Sequence, residues 1–265
     1  KNSFFMKNFY KSTKKYLLIF FFCHFSIGSI IAAESSVVLD SFPSKKLNDM
    51  AALQNGSKLF MNYCAGCHGI SQVRYGRLKD LGLTKSQIKD NLILNSQATL
   101  ASPIVASMKK TDSKEWFGKA PPDLSLTARS RSSGAGSGAD WIYTYLRSYY
   151  KDSDQATGWN NLVYPGVGMP HVLWEMEGIK KASYTEEVEQ GVIKKTFKKL
   201  VTESEGNFTQ AEYDNNIADL TAFMVWVAEP AGQFRKRLGV WVILFLSLFV
   251  FIAWRLNAAY WKDIK

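Results

Sequence analysis

The stretch NYCAGCHGI, residues 62–70, sets two cysteines and a histidine within five positions. Three chemistries use such a cluster: a redox disulfide, a zinc site, or covalent attachment of a haem. A redox C-x-x-C normally opens a helix after a strand. Here KLNDMAALQNGSKLFMNYC (46–64) spaces Leu53, Leu59, Phe60 and Tyr63 along one helical face, so the cysteines come at the end of a helix. Structural zinc takes about four ligands. Beyond the amino-terminal segment the chain offers Cys64, Cys67, His68 and His171, and the neighbours Cys67 and His68 fit poorly into one tetrahedron. C-x-x-C-H is the attachment signature for c-type haem. Each thiol adds across a vinyl group, and the imidazole of His68 then reaches the iron. One motif predicts one covalently attached haem c.

Working outward, the amino-terminal KNSFFMKNFYKSTKK carries five lysines and no acid, and YLLIFFFCHFSIGSIIAA follows it. This pattern predicts a secretory signal over 1–33, with Met6 as a candidate start and cleavage after Ala33. Removal of Cys23 with the signal leaves Cys64 and Cys67 alone, which suits a haem clamp because no third thiol competes. The formal charge of +10 is concentrated at the two ends, and the span 34–234 holds 22 basic and 22 acidic residues. That balance gives a nucleic-acid partner no electrostatic footing.

A second apolar run, LGVWVILFLSLFVFIAW (238–254), carries no charge. At about 1.5 Å per residue it nearly matches a hydrocarbon core. Trp241, Trp254, Tyr260 and Trp261 suit the interfacial belts at its ends. The expected organisation is a signal over 1–33, an exported haem domain over 34–234, an anchor helix over 235–256 and a short inner tail over 257–265. Arg235, Lys236 and Arg237 then lie outside, against the positive-inside rule, to which translocation of long domains is largely insensitive.

A c-type haem held by His68 needs a donor on its other face. Met169, in YPGVGMPHVLW between Gly168 and Pro170, is the first candidate, and His171 is the second. Met61 lies too near the attachment site, Met224 falls on a helical stripe and Met108 lacks the Gly/Pro setting. Methionine ligation favours a high potential. The propionates want basic partners, and ARSR supplies Arg129 and Arg131. Near the carboxyl end, DNNIADLTAFMVWVAEP predicts a helix with Asp214 as N-cap, an apolar stripe of Ile217, Leu220, Phe223, Met224 and Val227, and a stop before Pro230. GVIKKTFKKLVTES (191–204) fits a hairpin strand or a short helix equally well.

Six segments together resemble the cytochrome c1 family: YCAGCHG, RYGRLKDLGLT, WFGKAPPDLSLTARSR, DWIYTYLRSYY, TGWNNLVYPGVGMPHVLWE and the tail AEPAGQFRKRLGVWVI through LNAAYWKDIK. The resemblance implies a mainly α fold, a class I cytochrome c-like haem domain with long inserted loops and one carboxyl-terminal transmembrane helix. It implies that Cys64 and Cys67 hold the haem, that His68 and Met169 ligate the iron, that Arg131 contacts a propionate and that Trp141 lies at the haem edge. SSGAGSGA, before Trp141, is longer than the family's usual link and is expected as a surface elaboration. Implied partners are a cytochrome b subunit, a Rieske iron–sulfur protein as donor and a cytochrome c as acceptor. The implied location is the bacterial inner membrane, single-pass, with the haem domain in the periplasm. The haem carries electrons and performs no substrate chemistry. Two other readings stand beside this one: a stand-alone tethered electron shuttle, and a haem enzyme with an open sixth position.

Overall fold

Asp49 opens the first helix by accepting from the backbone N–H groups of Ala51 (3.0 Å) and Ala52 (3.3 Å). In the computed structural model, residues 37–189 and 192–262 are described, with the backbone alone for 186–189, 192–196 and Gln233. The expected signal over 1–33 lies outside the described residues. In chain order the helices are α1 (Met50–Leu59), α2 (Lys85–Asn91), α3 (Lys110–Phe117), α4 (Thr127–Ser130), α5 (Gly138–Arg147), α6 (Trp174–Glu177), α7 (Gln210–Ala228) and α8 (Gly232–Tyr260). The strands are β1 (Ile70–Arg74), β2 (Pro103–Ile104), β3 (Tyr149–Lys151), β4 (Trp159–Asn161), β5 (Gly178–Glu189) and β6 (Val192–Glu205).

The core is built where α1 crosses α7. Leu53, Leu59 and Phe60 turn inward with Ile217, Leu220, Phe223, Met224 and Val227, all buried. The Phe60 and Phe223 rings meet at 5.8 Å. Tyr63, expected on the same inner face, is exposed because the helix widens into a π turn over Phe60–Cys64, where Ala65 N–H reaches back to Phe60 O at 2.9 Å. Gly56 sits at the crossing itself: a Cβ there would lie 2.1 Å from Asp219 O. The Asp219 carboxylate locks the pair, with Lys46 Nζ at 2.7 Å and Asn55 Nδ2 at 2.9 Å.

Helix α7 begins earlier than its sequence suggests. Thr209 is the N-cap and forms a capping box with Glu212, so the cap expected at Asp214 is corrected. Asp214 lies inside the helix, where its carboxylate takes a bidentate pair from Arg147 Nε (2.7 Å) and Nη2 (2.9 Å). Arg147 also donates through Nη1 to Asp40 at 2.7 Å, so α5, α7 and the segment before α1 share one cation. The helix ends at Ala228 and Pro230 follows, as the sequence predicts.

The ambiguous 191–204 stretch resolves as strand. β5 and β6 pair antiparallel from Gly178↔Glu205 to Glu189↔Val192. They extend a sheet of order β4-β3-β5-β6, in which β3 runs antiparallel to β4 and parallel to β5. The fold remains mainly α, with this hairpin as the largest insertion. SSGAGSGA is a surface turn, as expected, and its end is structural. Ser137 caps α5 in a box with Asp140, and Gly138 lies so close to Ala128 that a Cβ would meet its carbonyl at 2.1 Å.

Among the described residues, one helix is long and apolar enough to cross a membrane. It covers Phe234–Tyr260, and its most apolar 18 residues have a mean hydropathy of 2.2 with none of them buried. It is longer at both ends than the uncharged run. Only Glu229–Ala231 separates it from α7.

Candidate functional site

The π turn delivers the cysteine cluster. Cys67 N–H (3.0 Å) and His68 N–H (2.8 Å) both donate to Cys64 O, which winds Cys64, Cys67 and His68 into one tight turn. The two cysteines are not joined in a disulfide, and both are partly exposed. Burial of its sulfur, then the charge of Cys67, pushes the Cys64 thiol up to about 12. A redox C-x-x-C works through a lowered thiol, and the Cys64 thiol is shifted the other way. Among the described residues, no three His, Cys, Asp or Glu side chains come together as a metal-binding group.

His68 is buried and its ring is fixed from one side. Its Nδ1 donates to Pro122 O at 2.8 Å, which makes Nε2 the deprotonated nitrogen. Among the described residues, Nε2 has no hydrogen-bond partner. Burial lowers the His68 pKa below its ordinary 6.5, outweighing the Pro122 bond and the charge of Asp123, so the ring is neutral and its Nε2 lone pair free. The clamp on His68 is itself anchored. Leu124 N–H donates to Gly69 O at 2.8 Å, and Asp123 accepts from Ser71 N–H and Ser125 N–H at 2.9 Å each. Partial burial works to raise the Asp123 pKa, yet these bonds hold it below the usual carboxylate range.

From Pro122 the chain continues through α4 to Arg131. Its guanidinium lies over the Trp141 ring at 4.4 Å and near Tyr164 at 5.8 Å. Among the described residues Arg131 forms no ion pair, whereas Arg129 is 3.7 Å from Glu229. Trp141 stacks on Tyr145 at 4.8 Å, one helical turn later, and the Tyr145 hydroxyl donates to Met169 Sδ at 3.5 Å. The structure thus joins Arg131, Trp141 and Met169 into one contact chain, and the Pro122–Arg131 segment connects that chain to His68. Tyr145 was missed at the sequence level. Its one legible signal was the i, i+4 spacing from Trp141.

The other methionines have different surroundings. Met61 and Met224 are buried in the core, and Met108 bonds through its backbone N–H to Gly66 O at 2.9 Å, beside the attachment turn. His171 is walled in. Its ring stacks on Tyr149 at 4.8 Å, meets Trp159 edge-on at 5.2 Å, and sets Nε2 2.8 Å from Glu177 Oε2. Glu177 also accepts from Lys180, and all three residues are buried. Glu177→Ala strands two buried polar partners, an arrangement that costs about 3–5 kcal/mol. Denaturant unfolding of the full chain in detergent should register that loss, with the haem absorption spectrum unchanged where the protein remains folded.

The residues present fit a c-type haem. A neutral, fixed imidazole offers a free nitrogen beside two cysteines not joined to each other, a thioether is held by a phenol, and a guanidinium without an ion pair among the described residues lies nearby. Comparison with known proteins agrees. The model of the cytochrome C1 family matches residues 43–264. A cytochrome c1 of Allochromatium vinosum is 41% identical over 219 residues, covering 82% of this chain and 86% of that one. A protein of Nitrosomonas europaea named ammonia monooxygenase gamma subunit is 39% identical over 228 residues, covering 86% and 89%. A cytochrome b/c1 of Bradyrhizobium diazoefficiens is 27% identical over 281 residues, covering 89% of this chain and 38% of that longer one. With a family match running from before the cysteine cluster to the end of the apolar helix, the chain belongs to the cytochrome c1 family.

Proposed function

We propose that this chain is the haem subunit of a bacterial quinol–cytochrome c oxidoreductase, taking electrons from a Rieske iron–sulfur protein and passing them to a cytochrome c. When bound, the haem supplies a one-electron Fe(III)/Fe(II) couple. The protein does the rest. Cys64 and Cys67 hold the group covalently, His68 Nε2 and Met169 Sδ are the iron donors, and Arg131 over Trp141 neutralises a propionate. The observation that carries this reading is the His68 ring, pinned by Pro122 with its second nitrogen free. Two donors fixed by separate parts of the fold suit a centre whose geometry changes little between oxidation states, and such a centre exchanges electrons without binding a substrate.

The anchor supports membership of a complex. Three residues between α7 and α8 leave a haem domain little reach of its own, which disfavours the stand-alone shuttle. A relative that carries cytochrome b and cytochrome c1 in its name points to a cytochrome b neighbour. In this reading α8 crosses the inner membrane and residues 34–234 occupy the periplasm. The relative named as a monooxygenase subunit raises an oxygenase reading; oxygen chemistry at this chain's own haem would require an open iron position that a Met169 ligand closes.

Gentle solubilisation followed by affinity purification of the tagged chain tests the assembly. Cytochrome b haem and an iron–sulfur protein should co-purify in fixed ratio to the covalent haem. Migration of the tagged chain alone overturns the complex and returns the tethered shuttle.

A further inference from the structure

We infer that Tyr149 and Tyr145 form a two-phenol relay that donates a hydrogen bond to Met169 Sδ and so sets the strength of that sulfur as an iron donor. The inference rests on Met169 being the sixth ligand. The two hydroxyls lie 2.5 Å apart, and Tyr145 is 3.5 Å from the sulfur. Tyr145 has one proton and two neighbours that can accept it, so its direction must be argued. Tyr149 is 1% exposed, with its ring against His171, and among the described residues Tyr145 is its hydroxyl's only hydrogen-bond partner. Were Tyr145 to donate to Tyr149, the Tyr149 proton would be buried without an acceptor, a costly arrangement. Donation from Tyr149 to Tyr145, and from Tyr145 to the thioether, uses both protons. Phenols ordinarily titrate near 10, so both protons are in place at neutral pH.

A proton directed at the sulfur draws electron density from its lone pairs. That weakens donation to iron most in the ferric state, so the bond favours the ferrous state and raises the potential. The short bond from Tyr149 polarises the Tyr145 hydroxyl and strengthens its donation, because linked hydrogen bonds cooperate. The two tyrosines are positioning residues: neither touches the iron, and both act through Met169.

The test uses the full-length holoprotein. Tyr145→Phe, which keeps the ring stacked on Trp141, should move the one-electron equilibrium toward the oxidised form by up to about tenfold, equivalent to about 59 mV. The methionine–ferric charge-transfer band should persist. Tyr149→Phe should move it in the same direction by less. An unchanged potential in Tyr145→Phe overturns the relay. A raised potential in Tyr149→Phe also overturns it, because it means that the Tyr145 proton had pointed at Tyr149 and was released. Should Tyr149→Phe fail to fold, D2O exchange of the unaltered protein replaces it. The iron–sulfur stretch should shift in D2O and the shift should vanish in Tyr145→Phe; equal shifts in both reject the proposal. Failure of the ligand reading is distinguishable, since the charge-transfer band would then survive Met169→Leu.

Discussion

Met169→Leu should convert the ferric protein from a six-coordinate low-spin to a high-spin spectrum, and should lower its reduction potential on the order of 0.1 V or more, within the roughly 0.8 V over which axial ligands move haem iron. Leucine fills nearly the same volume as methionine, so the fold should lose less than about 1.5 kcal/mol. The spectral change therefore reports the sulfur and not unfolding. The ferrous variant should also bind carbon monoxide, which the unaltered protein should resist. His171 sits two residues away and is the natural substitute donor, but stacking on Tyr149 and its approach to Glu177 hold it where it is. A parallel His171→Ala should leave the low-spin spectrum in place while lowering stability. If Met169→Leu keeps both spectrum and potential, the sulfur is not a ligand and the contact with Tyr145 is plain packing. If it already binds carbon monoxide before substitution, the open-site enzyme reading gains what the electron carrier loses.

The legibility of this site followed sequence distance. Cys64, Cys67 and His68 are neighbours in one turn, so their chemistry is written locally and no tertiary information is needed to read it. Met169 is proposed as a donor by elimination: few methionines exist, and its Gly/Pro setting marks a loop free to approach from elsewhere. What connects these residues was not legible. The Pro122 carbonyl that orients His68 is a backbone atom, 54 residues away, with no side-chain signature. Tyr145 reads as one aromatic among several on an amphipathic helix, and only the fold brings it to a sulfur 24 residues on.

The fold divided in the same way. The apolar stripe of α7 was visible because five apolar residues recur at helical spacing over about three turns. Its start was misplaced because Asp214 is a good cap by type, and its actual work is an ion pair with Arg147 across 67 residues. The T-x-x-E box at Thr209–Glu212 was present in the sequence and outranks it. In 191–204, apolar residues repeat at neither period cleanly. The lysine-rich β6 becomes a strand through its ladder with β5, a tertiary cause that no local window contains.

Gly56→Ala should be among the most damaging single substitutions in the chain, although on an isolated helix it would be stabilising by about 1 kcal/mol. The added Cβ would lie 2.1 Å from Asp219 O and 2.7 Å from Phe223 Cβ. Neither is the tip of a flexible side chain that can swing aside. Relief requires α1 and α7 to separate, which loosens the Phe60–Phe223 contact and pulls Asp219 from Lys46 and Asn55. Overpacking commonly costs about 1–3 kcal/mol and sometimes more, and a clash with backbone at a helix crossing belongs at the upper end. Because α1 runs directly into the turn bearing Cys64, Cys67 and His68, the strain should also reach the attachment site. The expected result is a steep fall in holoprotein yield, with a lowered unfolding midpoint in whatever accumulates. Gly134→Ala, at an exposed turn where a Cβ meets nothing within 4 Å, should change stability by less than about 0.5 kcal/mol. Equal stability of the two variants would mean that α1 and α7 do not cross as closely as Gly56 allows, and that the haem domain is assembled around some other contact.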